Sequence, residues 1–458
     1  MSGFPDTLFS GKRFAVVGLG KNGSPAARSL QQMGASVAAW DDSEAARAAA
    51  GGLTLRDLRE GPFDFDALIL SPGIAHRFPS PHPIAARAQA GGIPILSDAE
   101  LLFQAVRRSG SRARFVGITG TNGKSTTTAL LAHILKGAGL PVGAGGNLGP
   151  AALGLPCLPH HGVYVLEMSS YMLERLATLR FDAAVMLNLS PDHIDRHGDM
   201  AGYVRAKRAI FDRQTAADLA VIGLDDGPSR EMAGSLRSGL QRIVTVSGFA
   251  GSADVCCEDG VLRDESGPLF RMADARALPG AHNAQNAAAA AAVATHLGVS
   301  RGAIAQGLAS YPGLPHRQQL VATVDGVRFI NDSKATNADA SERALVCYDR
   351  VIWIAGGMAK EGGIAPLAPL FGRIAKTFLI GRDAPILAET LIAHNAGFEN
   401  VGTLEAAVPA AFAAARANGV PVVLLSPACA SWDQFTGYDQ RGERFAQLAR
   451  GLAEGRAA

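Results

Sequence analysis

The stretch Arg114 to Ile134, RFVGITGTNGKSTTTALLAHI, predicts the fold of the region around it. Its apolar residues Phe115 to Ile118 are typical of a buried strand, and small and apolar residues recur at helical spacing from Thr126 to Ile134. The glycine-containing segment GTNGKS lies between the two. A strand, a glycine turn and a helix in this order predict a phosphate cradle, because successive backbone N–H groups and the helix N-terminus can face one anion.

Two side chains of this turn are suited to nucleotide chemistry. Lys124 is expected to reach the β- and γ-phosphates, and Ser125 to offer its hydroxyl to Mg²⁺. The usual phosphate-binding loop has its first glycine at the position of Ile118, whereas the first glycine here is Gly120. A glycine turn without a ligand is the less favoured alternative, because GKST stands at the strand-to-helix junction that the motif requires.

Composition and charge limit the possible classes of function. The 458 residues are 48% apolar and 18% charged, which suits about three domains with sizeable cores. A net charge of +2 gives no electrostatic footprint for nucleic acid or an anionic membrane. No window approaches the length of apolar sequence that a membrane span needs. Five scattered cysteines and an N-terminus without a signal-peptide pattern favour a cytoplasmic protein with reduced, mostly buried thiols.

The N-terminal region predicts a second nucleotide-type unit. A strand at Arg13 to Val17 is followed by the turn GLGKNG, by a helix that ends near Met33, and by a strand that leads into Asp41 and Asp42. Acidic residues about 20 positions after such a turn suit ribose hydroxyls. A glycine turn that only packs a helix on a strand stays an alternative, because GxGxxG by itself is a weak signal.

Polar residues also follow later strands. Ala67 to Leu70 leads into Ser71-Pro72-Gly73, and Val163 to Leu166 leads into Glu167. Ligands of doubly wound sheets bind beyond the carboxyl ends of the strands. A carboxylate just past a strand, downstream of a phosphate loop, can hold the metal ion of the nucleotide.

Strands and helices alternate along the whole chain, with two interruptions. The polar segment 107–114 and the proline- and glycine-containing segment 309–315 lack apolar periodicity. We predict an α/β protein with a Rossmann-like N-terminal domain, a central P-loop ATPase-like parallel sheet and a C-terminal Rossmann-like domain. The predicted ranges are residues 1–110, 111–312 and 313–458.

Six motifs then point to a known family. They are GTNGKSTT, EMSSY, SPDHIDRH, HNAQN, PHR and NDSKATN, at residues 120–127, 167–171, 190–197, 282–286, 315–317 and 331–337. Together they resemble the Mur ligases over essentially the whole chain. GLGKNG and SPACASWDQF, residues 426–435, resemble the member that adds D-glutamate. The sequence DNPR, which would indicate the member that adds the third residue, is absent.

The resemblance implies a reaction and its partners. Such ligases use ATP to convert the carboxylate of UDP-N-acetylmuramoyl-L-alanine to an acyl phosphate. The amine of D-glutamate attacks this acyl phosphate, and phosphate leaves. The expected cofactors are ATP and Mg²⁺ at two sites, and we expect a monomer that has no nucleic-acid partner.

The resemblance also implies roles for five groups of residues. The expected catalytic residues are Lys124, His193 and Lys207. The expected metal ligands are Ser125, Glu167, His193 and Lys207. The expected ATP-binding residues are Gly120, Thr121, Asn122, Gly123, Lys124, Ser125, Thr126, Asn286, Arg317 and Asp332. The expected UDP-binding residues are Gly18, Leu19, Gly20, Lys21, Asn22, Asp41, Asp42, Ser71, Gly73 and Asn147. The expected D-glutamate-binding residues are Lys334, Thr336, Lys360, Ser431 and Tyr438.

Two of these roles go against the local sequence pattern. Lys207 stands near Arg205 and Arg208, and this charge pattern alone favours a solvated helix lysine. His193 alone favours a loop histidine with satisfied hydrogen bonds. The resemblance reverses both interpretations, since the matching lysine of the family carries a CO₂-derived carbamate, an anionic oxygen ligand for a hard cation.

Other interpretations stay open at this stage. A related ligase for another amino acid, including the folylpolyglutamate type, has the same motifs in outline. The GxGxxG turn could also belong to a nicotinamide-dependent oxidoreductase. A nucleotide-binding switch without ligase activity is a third class. For Arg317, Lys360 and Tyr438 a surface-loop role stays open, and Tyr438 stands where the family carries Phe.

Overall fold

A computed structural model describes residues 3–147, 149–249, 251–360 and 362–454. Within these ranges the chain forms nineteen strands, fifteen α-helices and three 3-10 helices. The strands make four sheets, three of which are wholly or mostly parallel. The prediction of an α/β fold with parallel sheets in several domains is confirmed.

The elements have the following bounds. The strands are β1 (Arg13–Val17), β2 (Ser36–Trp40), β3 (Ala67–Leu70), β4 (Ile95–Leu96), β5 (Arg114–Thr119), β6 (Val142–Gly146), β7 (Val163–Glu167), β8 (Ala183–Met186), β9 (Leu219–Gly223), β10 (Arg242–Val246), β11 (Cys256–Glu258), β12 (Val261–Asp264), β13 (Gly267–Arg271), β14 (Gln319–Val324), β15 (Val327–Asn331), β16 (Val351–Gly356), β17 (Ile374–Ile380), β18 (Phe398–Gly402) and β19 (Val422–Leu425). The α-helices are α1 (Gly23–Gln32), α2 (Glu44–Ala49), α3 (Pro83–Ala90), α4 (Asp98–Arg108), α5 (Lys124–Gly137), α6 (Ser170–Leu173), α7 (Ile194–His197), α8 (Met200–Arg208), α9 (Gly227–Leu236), α10 (Ala281–His296), α11 (Arg301–Ser310), α12 (Ala338–Leu345), α13 (Ala384–Ala393), α14 (Leu404–Ala417) and α15 (Tyr438–Glu454). The 3-10 helices are Ala152–Gly154, Met272–Asp274 and Ala365–Arg373.

The described residues divide into two compact units. The first comprises those within Met1–Asp274 and Ala281–Tyr311, and the second those within Ala275–Gly280 and Pro312–Ala458. The main break therefore falls inside the proline- and glycine-containing segment 309–315. The three predicted domain ranges themselves stay a prediction.

The first unit contains two parallel sheets, with the strand orders β2-β1-β3-β4 and β10-β9-β8-β5-β7-β6. Strand β5 pairs with β7 on one side and with β8 on the other. The phosphate loop, which follows β5, therefore starts from the middle of its sheet. The segments that follow β7 and β8 lie on either side of it.

One apolar core joins these two sheets. The ring of Phe103 on α4 packs edge-on against Phe115 of β5, with 5.2 Å between the centroids. The buried carboxylate of Glu100, also on α4, accepts the backbone N–H groups of residues 177–179 at 2.9–3.0 Å. The N-terminal sheet is thus fixed to the central sheet by apolar packing and by an internal carboxylate.

A small antiparallel sheet, β11-β12-β13, lies in the same unit and was not predicted. Its strands carry the short sequences CCE, VLRD and GPLFR, which lack a regular alternation of apolar and polar residues. A period-two pattern is the main sequence signal for a half-buried strand, so the sequence gives little reason to expect this sheet.

The second unit contains a six-stranded sheet in the order β14-β15-β19-β16-β17-β18, with only β14 antiparallel to its neighbour. Leu425, at the end of β19, aligns with Asn331 of β15 and Ile354 of β16. The carboxyl ends of these three strands therefore lie side by side. Their following loops carry most of the residues predicted to bind D-glutamate.

Three further expectations need correction or can be reported. Glu167 lies inside β7 as its last residue, not directly after the strand. All five cysteines are free, but only Cys429 is buried, so the expectation of mostly buried thiols is wrong. Within the described ranges, no helix combines the length and apolar character needed to cross a membrane.

Candidate active site

The phosphate loop has a backbone conformation at its last turn residue that favours glycine. Gly123 precedes α5 with a φ of 83°, in the left-handed region. A Cβ atom at Gly123 would also lie 2.3 Å from Oδ1 of Asn286, which is too close for any side chain. Lys124 and Ser125 begin the helix, with their N–H groups in its first turn, whereas the sequence pattern placed them in the turn and the helix from Thr126.

Side chains from neighbouring segments hold this loop in place. The Asn122 N–H donates to Oδ1 of Asn188 at 2.8 Å, and the Asn188 amide donates back to the Asn122 carbonyl at 3.1 Å. The Thr121 hydroxyl lies 3.1 Å from both the Ser190 carbonyl and the Tyr203 hydroxyl. Asn188 and Tyr203 were not predicted, because they come from segments far along the chain.

Lys124 and Asn286 make their contacts within the protein. The Lys124 ammonium donates to the carbonyls of Gly120 and Thr121, at 2.9 and 2.7 Å. Asn286, buried on α10, accepts the Thr127 hydroxyl at 3.1 Å. Asn286 thus braces the helix that carries the loop. Its predicted contact with ATP stays a prediction. The same holds for Thr126, which is half-buried in the first turn of α5.

Glu167 is a buried carboxylate with one unsatisfied oxygen. The residue is 2% exposed, and β7 aligns it with Ile118 of β5, directly before the phosphate loop. Its Oε1 accepts the Asn147 amide at 2.7 Å, whereas no hydrogen-bond partner for its buried Oε2 exists among the described residues. An ionised oxygen without a partner is costly to bury, and a cation would remove that cost. Glu167 therefore fits the predicted role of metal ligand.

Lys207 lies inside the protein, 2% exposed, so the interpretation of a solvated helix lysine is wrong. Its ammonium donates to the Gly120 carbonyl at 2.8 Å and lies 3.3 Å from the Thr119 hydroxyl. Burial, and next the positive charge of Lys124, lower the pKa of Lys207 well below its usual value. The amine thus has a strong tendency to be neutral beside the phosphate loop.

His193 is half-exposed at the start of α7 with a φ of 55°. Its ring packs against Tyr171 with centroids 5.2 Å apart, and its Nε2 lies 3.4 Å from the Asp192 carboxylate. Burial lowers the pKa of His193, and the charges of Lys207 and Lys124 lower it further against the opposing effect of Asp192. A neutral imidazole near these lysines can bind a metal ion.

The predicted metal ligands form a mixed set. In the described ranges, no group of three or more His, Cys, Asp or Glu side chains has an arrangement that could hold a metal ion. The predicted set contains only two such residues, Glu167 and His193. The other two would supply oxygen ligands, Ser125 through the hydroxyl of its buried side chain and Lys207 through a modification of its amine.

A cavity of about 480 Å³ opens at the GLGKNG turn. It is lined by Val17, Gly18, Gly20, Lys21, Asn22, Asp41, Asp42, Ser71, Pro72, Gly73, Ile74, His82 and Asn147. The structure thus brings together all the predicted UDP-binding residues except Leu19. The side chain of Leu19 packs in the apolar core, and its backbone N–H donates to Asp41 at 2.6 Å.

Close packing shapes this cavity. Gly18 has a φ of 88°, and a Cβ atom there would lie 2.6 Å from Cβ of Ser71, whose hydroxyl donates to the Gly18 carbonyl at 2.7 Å. Nε2 of His82 lies 2.8 Å from the Asp42 carboxylate, and this hydrogen bond lowers the pKa of Asp42. His82 was not predicted, because the sequence around it matches no ligand-binding motif.

In the second unit, Lys334 and Tyr438 meet directly. The Lys334 ammonium donates to the Tyr438 hydroxyl at 3.0 Å and lies 4.5 Å from the centre of its ring. Ser431 is buried, and its hydroxyl has no hydrogen-bond partner in the part of the chain that the structure describes. Thr336 is half-buried in the loop after β15, and Lys360 is exposed.

Arg441 on α15 connects the loops that carry these residues, and it was not predicted. Its guanidinium donates to the carbonyls of Ser333 at 2.8 Å, Cys429 at 3.0 Å and Gly356 at 3.4 Å. Burial lowers the pKa of Arg441 to about 10, so the group stays charged at neutral pH. A single buried cation therefore fixes the loops that follow β15, β16 and β19 relative to one another.

Asp332, which the resemblance assigns to ATP, is buried in the second unit near half-buried Arg317. Its carboxylate accepts the Ser426 hydroxyl at 2.8 Å and the Gln318 N–H at 3.1 Å. Burial raises the pKa of Asp332 to about 7. Whether Arg317 and Asp332 bind ATP stays a prediction.

The raised pKa of Asp332 predicts a pH-dependent stability. Because the folded state holds the proton more tightly than the unfolded chain, this stabilisation is complete below about pH 4 and is lost as the pH rises through about 7. As the pH rises from about 4 to about 7, the unfolding free energy of Asp332→Asn should therefore increase relative to that of wild type, by up to about 1.4 kcal/mol per pH unit. Denaturant unfolding of both proteins between pH 5 and 8, followed by the fluorescence of buried Trp353, measures the difference. A difference that does not change with pH would contradict the prediction.

Comparisons with known proteins identify the family and the fold of this chain. Residues 118–294 match the Mur ligase middle domain, and residues 316–429 match the Mur ligase glutamate ligase domain. A UDP-N-acetylmuramoylalanine–D-glutamate ligase of Paramagnetospirillum magneticum is 52% identical over 98% of this chain and 99% of that protein. One of Rhodospirillum rubrum is 48% identical over 98% of this chain and 97% of that protein. The crystal structure of a UDP-N-acetylmuramate-alanine ligase from Thermotoga maritima shares the fold, with a TM-score of 0.61 at 17% identity over 96% of this chain and 99% of that one.

Proposed function

This chain belongs to the Mur ligase family and, within it, to the UDP-N-acetylmuramoylalanine–D-glutamate ligases, and from this membership we propose how its residues carry out the reaction. The enzyme uses ATP to join D-glutamate to UDP-N-acetylmuramoyl-L-alanine, which yields a peptidoglycan precursor, ADP and phosphate. The observation that carries the proposal is the grouping of Glu167, Lys207 and Lys124 around one phosphate loop.

The protein contributes mainly position and charge to this reaction. The loop of residues 120–126 binds the phosphates of ATP through backbone N–H groups at the start of α5. Lys124 exchanges its loop carbonyls for phosphate oxygens. Mg²⁺, which this family requires, would offset the negative charges of the ATP phosphates and of the substrate carboxylate. Ser125, Glu167 and His193 would hold it.

A carbamate on Lys207 completes the proposed ligand set. The neutral amine nitrogen attacks the carbon of CO₂, an N–C bond forms, and the amine loses a proton to solvent. The product is an anionic oxygen ligand at a position where a lysine cation would repel both Lys124 and a metal ion. The buried position of Lys207 and the direction of its pKa support the modification, and a second metal site beside His193 depends on it.

The UDP-linked substrate and D-glutamate bind to the other two groups of predicted residues. The UDP part binds in the cavity at the GLGKNG turn, with Asn147 between that cavity and Glu167. The two carboxylates of D-glutamate bind at Lys334, Thr336, Lys360, Ser431 and Tyr438. The unsatisfied hydroxyl of Ser431 and the ammonium of Lys334 support this assignment.

The choice of amino acid is the most informative test of the whole function. Phosphate release from ATP in the presence of UDP-N-acetylmuramoyl-L-alanine should depend on D-glutamate and should be at least about 10²-fold slower with L-glutamate, because the inverted centre cannot present its amine and both carboxylates together. Equal rates with both enantiomers, or coupling to another amino acid, would favour the related-ligase alternative. Nicotinamide fluorescence titration should show no binding, as expected for a ligase rather than an oxidoreductase.

A further inference from the structure

The loop of residues 70–76 forms one wall of the UDP cavity. It follows β3 and contributes Ser71, Pro72, Gly73 and Ile74 to the lining. Beyond Leu70, which ends β3, the loop has no helix or strand of its own, so hydrogen bonds from elsewhere must fix its backbone. Some of those bonds come from Val17 of β1 and from the side chain of Gln89, and the others come from the segments that also carry Glu167 and His193.

Arg175 makes four hydrogen bonds to this loop, more than any other side chain among the described residues. It is 2% exposed and follows Glu167 by eight residues on the same segment. Nη1 donates to the carbonyls of Leu70 at 2.7 Å and Ser71 at 3.1 Å. Nη2 donates to the carbonyl of Ile74 at 2.6 Å. Nε lies 3.3 Å from Nδ1 of buried His76, so the guanidinium spans the loop from its first residue to its last.

The burial of the Arg175 guanidinium calls for a physical explanation. Among the described residues, the hydrogen-bond acceptors of Arg175 are backbone carbonyls and one imidazole, and none is a carboxylate. Burying a cation without a hydrogen-bonded anion is costly compared with an apolar side chain of similar volume. Arg175 offsets this cost by its geometry, because a planar guanidinium can hold several carbonyls in a fixed arrangement.

Arg196 makes a second link to the same loop. Its Nη1 donates to the Gly73 carbonyl at 2.7 Å, and its guanidinium lies 4.6 Å from the centre of the Tyr171 ring. Arg196 follows His193 by three residues. The two segments that carry the proposed metal ligands Glu167 and His193 therefore also bind the wall of the UDP cavity.

We propose that Arg175 is a positioning residue, assisted by Arg196, that fixes the wall of the UDP cavity relative to the ATP-phosphate centre. The inference rests on the proposed binding of UDP in that cavity. A bound UDP-sugar must extend its carboxylate to a phosphate held elsewhere in the unit, and small displacements between the two sites cost large factors in rate. Arg175 prevents this displacement without touching a substrate.

Arg175→Lys is the direct test, because lysine keeps the charge but cannot reach three carbonyls at once. The KM for UDP-N-acetylmuramoyl-L-alanine should rise about tenfold or more. The KM for ATP and the melting temperature should change little. Arg87→Lys is the matched control, because Arg87 also donates to two loop carbonyls, those of Leu58 and Gly61, but does so away from the cavity. Its KM values should equal those of wild type.

Different outcomes separate the inference from the function on which it rests. If the wild-type enzyme shows no saturable dependence on the UDP substrate, the proposed function fails. If wild type saturates but Arg175→Lys keeps its KM, or if both KM values and the melting temperature change together, the positioning role is overturned. If Arg175→Lys does not fold, Arg196→Met takes its place, since Arg196 is only half-buried. An unchanged KM for the UDP substrate in that variant overturns the inference equally.

Discussion

Lys207→Ala is expected to lower kcat by about 10³-fold or more, the largest effect of any single substitution considered. The variant would lose the proposed carbamate oxygens of the proposed metal site beside the phosphate loop, where Lys207 contacts Gly120 and Thr119. ADP binding should persist, because the loop itself keeps its contacts with Asn188 and Tyr203. Steady-state phosphate release, together with calorimetric titration of ADP, measures both expectations.

Small carboxylates distinguish the chemical role of Lys207 from a structural one. Formate or acetate at millimolar concentration should restore part of the activity of Lys207→Ala, because either can place a carboxylate oxygen in the space the side chain leaves. Arg205→Ala is the matched control, since Arg205 is exposed on the same helix, and it should keep wild-type activity without rescue. Full activity of Lys207→Ala without added carboxylate would remove the carbamate from the mechanism.

Glu167→Gln is expected to lower kcat by about 10²-fold and to raise the Mg²⁺ concentration needed for half-maximal rate. The amide keeps the size of the side chain and one oxygen for the Asn147 contact, but it removes the charge from the oxygen that has no hydrogen-bond partner among the described residues. Initial rates measured across a Mg²⁺ titration separate this effect from a loss of fold.

If Glu167 is a metal ligand, the loss of its charge must cause the lower kcat and the higher Mg²⁺ requirement of Glu167→Gln. Glu258→Gln supplies the comparison, because Glu258 also ends a strand of the same unit but is exposed. That variant should show the Mg²⁺ dependence of wild type. A Glu167→Gln enzyme with an unchanged Mg²⁺ dependence would contradict the assignment of Glu167 as a metal ligand.

Local sequence predicted the parts of the fold that depend on local signals. The strand, turn and helix around Gly123 were predicted because glycine conformation and apolar periodicity are properties of a short segment. The parallel strands at Phe115 and Val163 were recognisable as continuous apolar runs, which is typical of sheets covered on both faces. The antiparallel strands at Cys256 and Val261 had no such pattern and were missed.

The supporting residues of the site could not be predicted in the same way. Asn188, Tyr203 and Arg441 act through contacts with residues far away in sequence, and none of the three lies within a recognised motif. The buried state of Lys207 is another example, since adjacent arginines on α8 point to solvent while Lys207 faces the phosphate loop. Such roles depend on which strands become neighbours, and this is a property of the whole sheet.

The carboxylate of Glu100 sets a limit on how this polypeptide can be shortened. A fragment that starts near residue 112 would contain the whole phosphate loop, yet it would leave the N–H groups of residues 177–179 without their acceptor. It would also uncover the face of Phe115 that Phe103 occupies. Isolated fragments of the phosphate-loop unit for binding studies or crystallisation should therefore retain the N-terminal sheet and end near Tyr311.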